Sequence, residues 1–208
     1  MRRTALVTGA ARGLGALAAR RLAAAAWDVV AVDVDEVGLA KTALRSPNMH
    51  VRVCDVTDPD AVLEVLAMSG PVHRVVHAAA ASSDAPVLTL PPSEIEHVLR
   101  TNVLGMVHVV RATLPGMLER GAGEVFLCPD APGPPASAAA AAVAAYADAL
   151  WAEHGGRGVT LRCVHAGAGA SHRLVLDAMD RSLARPAADV HVRVRPTRRP
   201  PALISAAR

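Results

Sequence analysis

Near the start of the chain, Thr8-Gly9-Ala10-Ala11-Arg12-Gly13-Leu14-Gly15 has the residue types and spacing to hold a phosphate. A short apolar run, Arg3–Val7, leads in, and an Ala-rich segment of helical period, Leu14–Ala25, leads out. In that setting Gly9 permits a tight turn, Gly13 lets the backbone approach a pyrophosphate, and Gly15 lets helix and strand pack closely. The helix amino terminus then offers free N–H groups and a favourable dipole. Asp33 ends the next apolar run, about 20 residues beyond the motif. A carboxylate there can take an adenine-ribose 2′-hydroxyl and would repel a 2′-phosphate, so NAD is expected in preference to NADP, with Arg12 pulling modestly the other way. A glycine turn in an α/β domain that binds nothing would need the same residues.

A second set of reactive side chains lies further on. His165 can act as a general base near neutral pH, and Asp130 can orient it. Together with Cys128 and His77 they fall at the carboxyl ends of strand-like runs, where open α/β sheets place their sites. The alternative is structural: hydrogen-bonded strand-end histidines, a core cysteine, and Asp130 in the rigid turn Pro129-Asp130-Ala131-Pro132-Gly133-Pro134-Pro135. None of the nine histidines has a metal-ligand partner at helical or knuckle spacing, and no metal is expected. Cys54, Cys128 and Cys163 lack paired spacing and read as buried free thiols of a reducing compartment.

The elements that must position these residues alternate. Strands are expected at Arg3–Val7, Asp28–Asp33, His50–Cys54, Arg74–His77, Glu124–Cys128, Thr160–His165 and Val190–Val194. Helices fall between them at Leu14–Ala25, Val37–Leu44, Asp58–Ala67 with Asp58 as cap, Ala136–His154 and Leu174–Leu183. A long helical segment from Ser93 through Asn102 towards Glu119 is expected to be interrupted or to end near Pro115. The pattern implies an α/β, Rossmann-like, doubly wound and mostly parallel sheet of about seven strands with helices on both faces. One domain over 1–195 and a basic, Pro-containing tail over 196–208 complete the division.

Hydrophobic residues make up 52% and charged residues 20% of the 208, a globular composition. Only Trp27, Phe126, Tyr146 and Trp151 are aromatic, which argues against stacking on single-stranded nucleic acid. Much of the net charge of +3 comes from Arg193, Arg195, Arg198, Arg199 and Arg208, so it reads as a solvated tail and not as a nucleic-acid site. No apolar stretch reaches about 18 residues, and Arg2 and Arg3 break any signal peptide, so no membrane is expected and the location is cytoplasmic. Of the 22 basic residues only Lys41 is a lysine.

The segment Thr8–Gly15 resembles the T-G-x3-G-x-G motif of the short-chain dehydrogenases/reductases, and the likeness covers most of the chain. It implies cofactor contacts from Thr8, Gly9, Arg12, Gly13, Leu14, Gly15 and the NAD-selecting Asp33. Cys54-Asp55-Val56-Thr57-Asp58 looks like the family's third-strand motif, which assigns Asp55 and Val56 to the adenine. Val76-His77-Ala78-Ala79-Ala80 stands where the family has N-N-A-G, which assigns His77 and Ala78. Asn102 matches the family's structural and proton-relay asparagine, and Ser171 its carboxamide-binding Thr/Ser.

The resemblance also exposes what is missing. Family enzymes move a hydride between nicotinamide and a carbonyl or alcohol carbon, with a tyrosine as acid or base. A lysine four residues on lowers its pKa from about 10. Aligned backwards from Glu153 and Gly158–Arg162, these positions fall on Ala136 and Ala140, and the family's serine position falls at Pro129 or Asp130. Tyr146 is followed four residues later by Leu150, and Lys41 lies just past the second strand. The lid that usually follows His165-Ala166-Gly167 is reduced to a few residues. The resemblance therefore implies an interaction subunit, homo- or hetero-oligomeric through helices around Ser93–Leu118 and Ala136–His154, pairing with an active homologue. Inactive partners of paired ketoreductase-like subunits in aminocoumarin biosynthesis are the family precedent. Two readings stand beside it: an oxidoreductase, cyclase or lyase with a non-standard site at His165 or Asp130, and a dinucleotide sensor.

Overall fold

The computed structural model describes residues 2–83, 85–129, 132–167 and 169–195. Asp130 and the tail from residue 196 lie outside the described residues. Seven strands form one parallel sheet: β1 (Thr4–Thr8), β2 (Asp28–Asp33), β3 (Met49–Val53), β4 (Val72–His77), β5 (Gly123–Leu127), β6 (Val159–Ala166) and β7 (His191–Val194). Their order is β3-β2-β1-β4-β5-β6-β7, with every neighbouring pair parallel. The doubly wound α/β sheet expected from the sequence is thus present, and the winding reverses between β1 and β4.

Side chains alternate across each strand, so the sheet has two apolar faces and two cores. Leu6, Val75, Val125 and Leu161 pack under α3 (Pro59–Ala67), α5 (Gly105–Arg120) and α6 (Pro134–His154). Val7, Val76, Phe126 and Val164 pack under α1 (Gly13–Ala24), α2 (Glu36–Ala43) and α7 (His172–Ser182). Asp35 caps α2 by accepting from the Gly38 N–H, and Asp58 caps α3 through the N–H groups of Asp60 and Ala61.

The expected break near Pro115 is corrected. The irregularity comes earlier, where α4 (Pro92–Leu99) passes into α5 through a π turn over Arg100–Leu104. Pro115 sits inside α5, which continues to Arg120. Both Pro115 and Arg111, one turn back, are exposed, so water can take the carbonyl that the proline leaves without a donor.

At the sheet's far side, Arg162 of β6 is fully buried. Its guanidinium donates to the carbonyls of Leu161, Ser182, Arg185, Pro186 and Ala187 at 3.0–3.2 Å, gathering the turn between α7 and β7. Replacing it strands those acceptors out of water, where an unmade charged hydrogen bond is costly. Arg162→Met is expected to lose about 3 kcal/mol or more of unfolding free energy in urea at unchanged slope. A loss under about 1 kcal/mol would mean that the carbonyls find solvent instead.

Candidate functional site

The mouth of the sheet is set where β1 and β4 end side by side. Gly9 has φ +66°, and a Cβ on it would lie 2.5 Å from the Ala78 carbonyl oxygen. Only glycine allows that approach. Thr8 is buried and bridges the two strands: its Oγ1 lies 2.9 Å from His77 Nδ1 and accepts from the Ala79 N–H at 3.3 Å. Gly15 packs directly on the Gly9 carbonyl, bringing α1 onto the strand end.

The turn leaves the start of α1 unusually open. Arg12 is its extended N-cap and makes no side-chain cap, in contrast with Asp35, Asp58 and Ser171 on their helices. Gly13 has φ +55°, and a Cβ there would come within 3.4 Å of His172 Cε1, so that imidazole lies against the turn. Asp33 is half-buried at the end of β2; its carboxylate accepts from Ala11 N–H at 3.0 Å and Asp35 N–H at 3.1 Å. Leu14 packs at the edge of the core under α1.

Other expected contacts are used structurally. Asp55 is exposed and accepts from the Thr57 N–H at 2.8 Å. Val56 is buried, and its Cγ2 fills the space beside Gly105 while its carbonyl lies 3.1 Å from His108 Nδ1. Its side chain therefore belongs to the core. Ser171 Oγ caps α7, accepting from the Leu174 N–H at 3.3 Å.

Beside the turn is a small cleft lined by His77, Ala79, Ala80, Asn102, Cys128, Pro129, Ala136, Ala140 and Val143. Its volume of ≈ 10 Å³ is the room of about one water molecule. Ala136 and Ala140, one helical turn apart on α6, face it. Asn102 sits in the π turn, 8% exposed; its amide accepts from Ala81 N–H at 2.7 Å and donates to Ala81 O at 2.9 Å, pinning the segment after β4. His77 is only 4% exposed, and its Nε2 has no hydrogen-bond partner among the described residues. Tyr146 lies elsewhere, packed at the core edge under α6, and Lys41 is on α2.

His165 is not at this cleft's wall. Its Nε2 lies 2.9 Å from His191 Nδ1, and His191 Nε2 lies 2.8 Å from Asp148 Oδ1. The acid linked to His165 is therefore Asp148, through His191, and the expected role of Asp130 falls outside the described residues. Burial lowers the His165 pKa, with His191 and Arg193 adding to the effect. Cys163, fully buried beside them, has its thiol pushed up to about 12, mainly by burial. The expectation of no metal-ligand grouping rested on spacing within single elements. Cys163, His165 and His191 are brought together instead by two adjacent strands, β6 and β7.

Burial alone pulls the His77 pKa down to about 4. The unfolded chain takes up that proton near pH 6.5, so the unfolded state binds more protons between the two values. Stability from this group is complete above about pH 6.5 and falls on acidification towards about 4, by at most about 1.4 kcal/mol per pH unit. His77→Gln removes that slope, so the stability gap between parent and variant should narrow across this window. Parallel urea-unfolding profiles would show that His77 does not titrate there.

The sequence comparisons place this geometry in a family. Residues 3–174 match the model of the short chain dehydrogenases. Relatives include a 2-keto-3-deoxy-L-fuconate dehydrogenase of Xanthomonas campestris, 31% identical over 58% of this chain and 40% of that protein. Another is a 1-deoxy-11-beta-hydroxypentalenate dehydrogenase of Streptomyces avermitilis, 34% identical over 57% of this chain and 47% of that protein. The chain matches about half the length of these curated relatives. Among solved structures, an actinorhodin polyketide ketoreductase with NADPH superposes with TM-score 0.73 at 28% identity, over 80% of this chain and 70% of that one. A metagenomic short-chain oxidoreductase in complex with NADP shares the fold at TM-score 0.79 and 22% identity, over 95% and 98% of the two chains. No helix among the described residues is long and apolar enough to cross a membrane. With its matching glycine turn, sheet order and family model, the chain belongs to the short chain dehydrogenases.

Proposed function

We propose that this chain binds a nicotinamide dinucleotide, performs no hydride transfer alone, and serves as the partner subunit of an active homologue in specialised metabolism. The observation that carries the reading is the pair Ala136 and Ala140, which line a cleft with room for about one water beside Asn102 and His77. Hydride transfer to a carbonyl needs a proton donor at the oxygen, and donation near neutral pH needs a group tuned to it. Methyl groups supply neither. The five residues 167–171 between β6 and α7 are also too few to cover a substrate.

The dinucleotide half of the proposal rests on fit. The uncapped start of α1, with Gly13 at positive φ, presents backbone N–H groups to a pyrophosphate. Asp33 ends β2 where it can accept from a ribose hydroxyl while keeping its bond to Ala11 N–H. The bound dinucleotide would supply a hydride carrier, and this chain's residues would bind and orient its adenosine and phosphates. Asp33 favours NAD, although two solved relatives hold NADPH and NADP. Pairing would use α5 and α6, where the half-buried Leu118, Tyr146 and Leu150 line one open groove over the buried Leu114.

Calorimetric titration with NADH and NADPH, with the solution mass measured alongside, tests the reading. Saturable NADH binding is expected, with no NADH oxidation over a panel of ketones and aldehydes, and with a raised rate when an active homologue is added. Asp33→Ser should shift preference towards NADPH by about tenfold, as loss of one repelled charge implies. Turnover by the purified chain alone would replace the partner reading with that of an enzyme of altered chemistry. Absence of binding at millimolar dinucleotide would remove the cofactor from the proposal.

A further inference from the structure

Three side chains outside the cleft converge on one face of the sheet edge. β6 and β7 pair in register, with Cys163 opposite His191 and His165 opposite Arg193. Residues two apart on a strand share a face, so Cys163 and His165 point together towards α6, and His191 joins them from the neighbouring strand. Cys163 Sγ and one ring nitrogen from each histidine all lie within 4.8 Å of one another. Asp148 of α6 touches His191 from the outside at 2.8 Å, which leaves His191 Nδ1 turned inward, 2.9 Å from His165 Nε2.

We infer that Cys163, His165 and His191 form a binding site for a divalent cation of borderline softness, Zn²⁺ by preference, with a fourth position open to solvent. One thiolate and two imidazoles are a zinc donor set and a poor one for Mg²⁺ or Ca²⁺. Bonds of about 2.0–2.3 Å in a tetrahedral centre need donors roughly 3.3–3.8 Å apart. The His165–His191 nitrogens at 2.9 Å need to open only slightly, and both rings are half-buried while Cys163 is fixed by full burial.

Asp148 supplies the outer support that metal-bound imidazoles usually have. By accepting the Nε2–H of His191 it holds that ring in the tautomer with its lone pair on Nδ1. His165 otherwise donates from Nε2 to His191; when Nε2 binds the cation, that proton leaves Nε2 and the neutral ring carries its proton on Nδ1 instead. The thiol proton of Cys163 leaves to solvent as the sulfur–metal bond forms. Thiolate and Asp148 carboxylate then balance the two positive charges, and the exposed Arg193 on the same face reaches water. The site shares no residue with the glycine turn or the cleft, so it stands or falls independently of the proposed function.

The test uses the purified full chain, stripped with a chelator and titrated with Co²⁺, then Zn²⁺. One Co²⁺ per chain is expected, with visible bands of tetrahedral intensity and a sulfur-to-cobalt charge-transfer band that Zn²⁺ abolishes on displacement. Cys163→Ser should remove the charge-transfer band, and His191→Gln should weaken Zn²⁺ about a hundredfold or more. Asp148→Asn should cost about ten- to a hundredfold while leaving the spectrum in place. No stoichiometric Co²⁺ uptake, or a band that survives in Cys163→Ser, overturns the site. Should Cys163→Ser fail to fold, X-ray absorption of the Zn²⁺-loaded parent decides it. One sulfur and two imidazoles sustain the site; a shell with no sulfur or with two refutes it.

Discussion

The carboxyl ends of β1 and β4 can lie together only because residue 9 carries no side chain. A single carbon there would sit 2.5 Å from the Ala78 oxygen, inside any tolerable contact. That approach closes the reversal point of the sheet, and Thr8 locks it by bridging His77 and Ala79. The start of α1, the end of β2 and the cleft beside Asn102 all take their positions from it. The close contact costs conformational freedom, which the two cores above and below the sheet offset.

The cleft beside the glycine turn borders both cores, since Val143 of one and Cys128 of the other line it together with His77, Ala136 and Ala140. Ala136 and Ala140 bury no ionisable group and demand no counter-charge. Both ends of the Asn102 amide hold Ala81, so its side chain organises the chain after β4. Asn102 thus has a backbone-supporting role in this structure. His77 adds to the same conclusion, since its buried, neutral ring is a strut for Thr8 and not a solvent-facing base.

The sheet was legible because each strand is a short apolar run between helical segments; Asp28–Asp33 is read to the residue, and Asp58 caps the helix assigned to it. The glycine turn was legible because its glycines answer a local steric demand. The π turn at Arg100–Leu104 has no periodic signature of its own, and Pro115 misled because exposure, which makes it tolerable, is a tertiary fact. Val56 and Ser171, which match a motif, also take part in packing and capping, which the motif does not reveal. The linkage of Asp148, His191 and His165 was hidden by separations of 43 and 26 residues. Only the register of two parallel strands reveals it.

That register also explains how the exposed end of the sheet is held. An edge strand has backbone groups on one side only satisfied by solvent or partners, and β7 is short. Residues of β6 secure it from opposite faces. Arg162 reaches beneath the sheet to the carbonyls at the end of α7 and in the turn before β7. Cys163 and His165 face α6 above, where His191 and Asp148 tie strand to helix. With only residues 167–171 joining β6 to α7, the unit β6–α7–β7 has little chain to spare for covering a substrate. Arg162, His165 and His191 of this unit are engaged in fastening the edge.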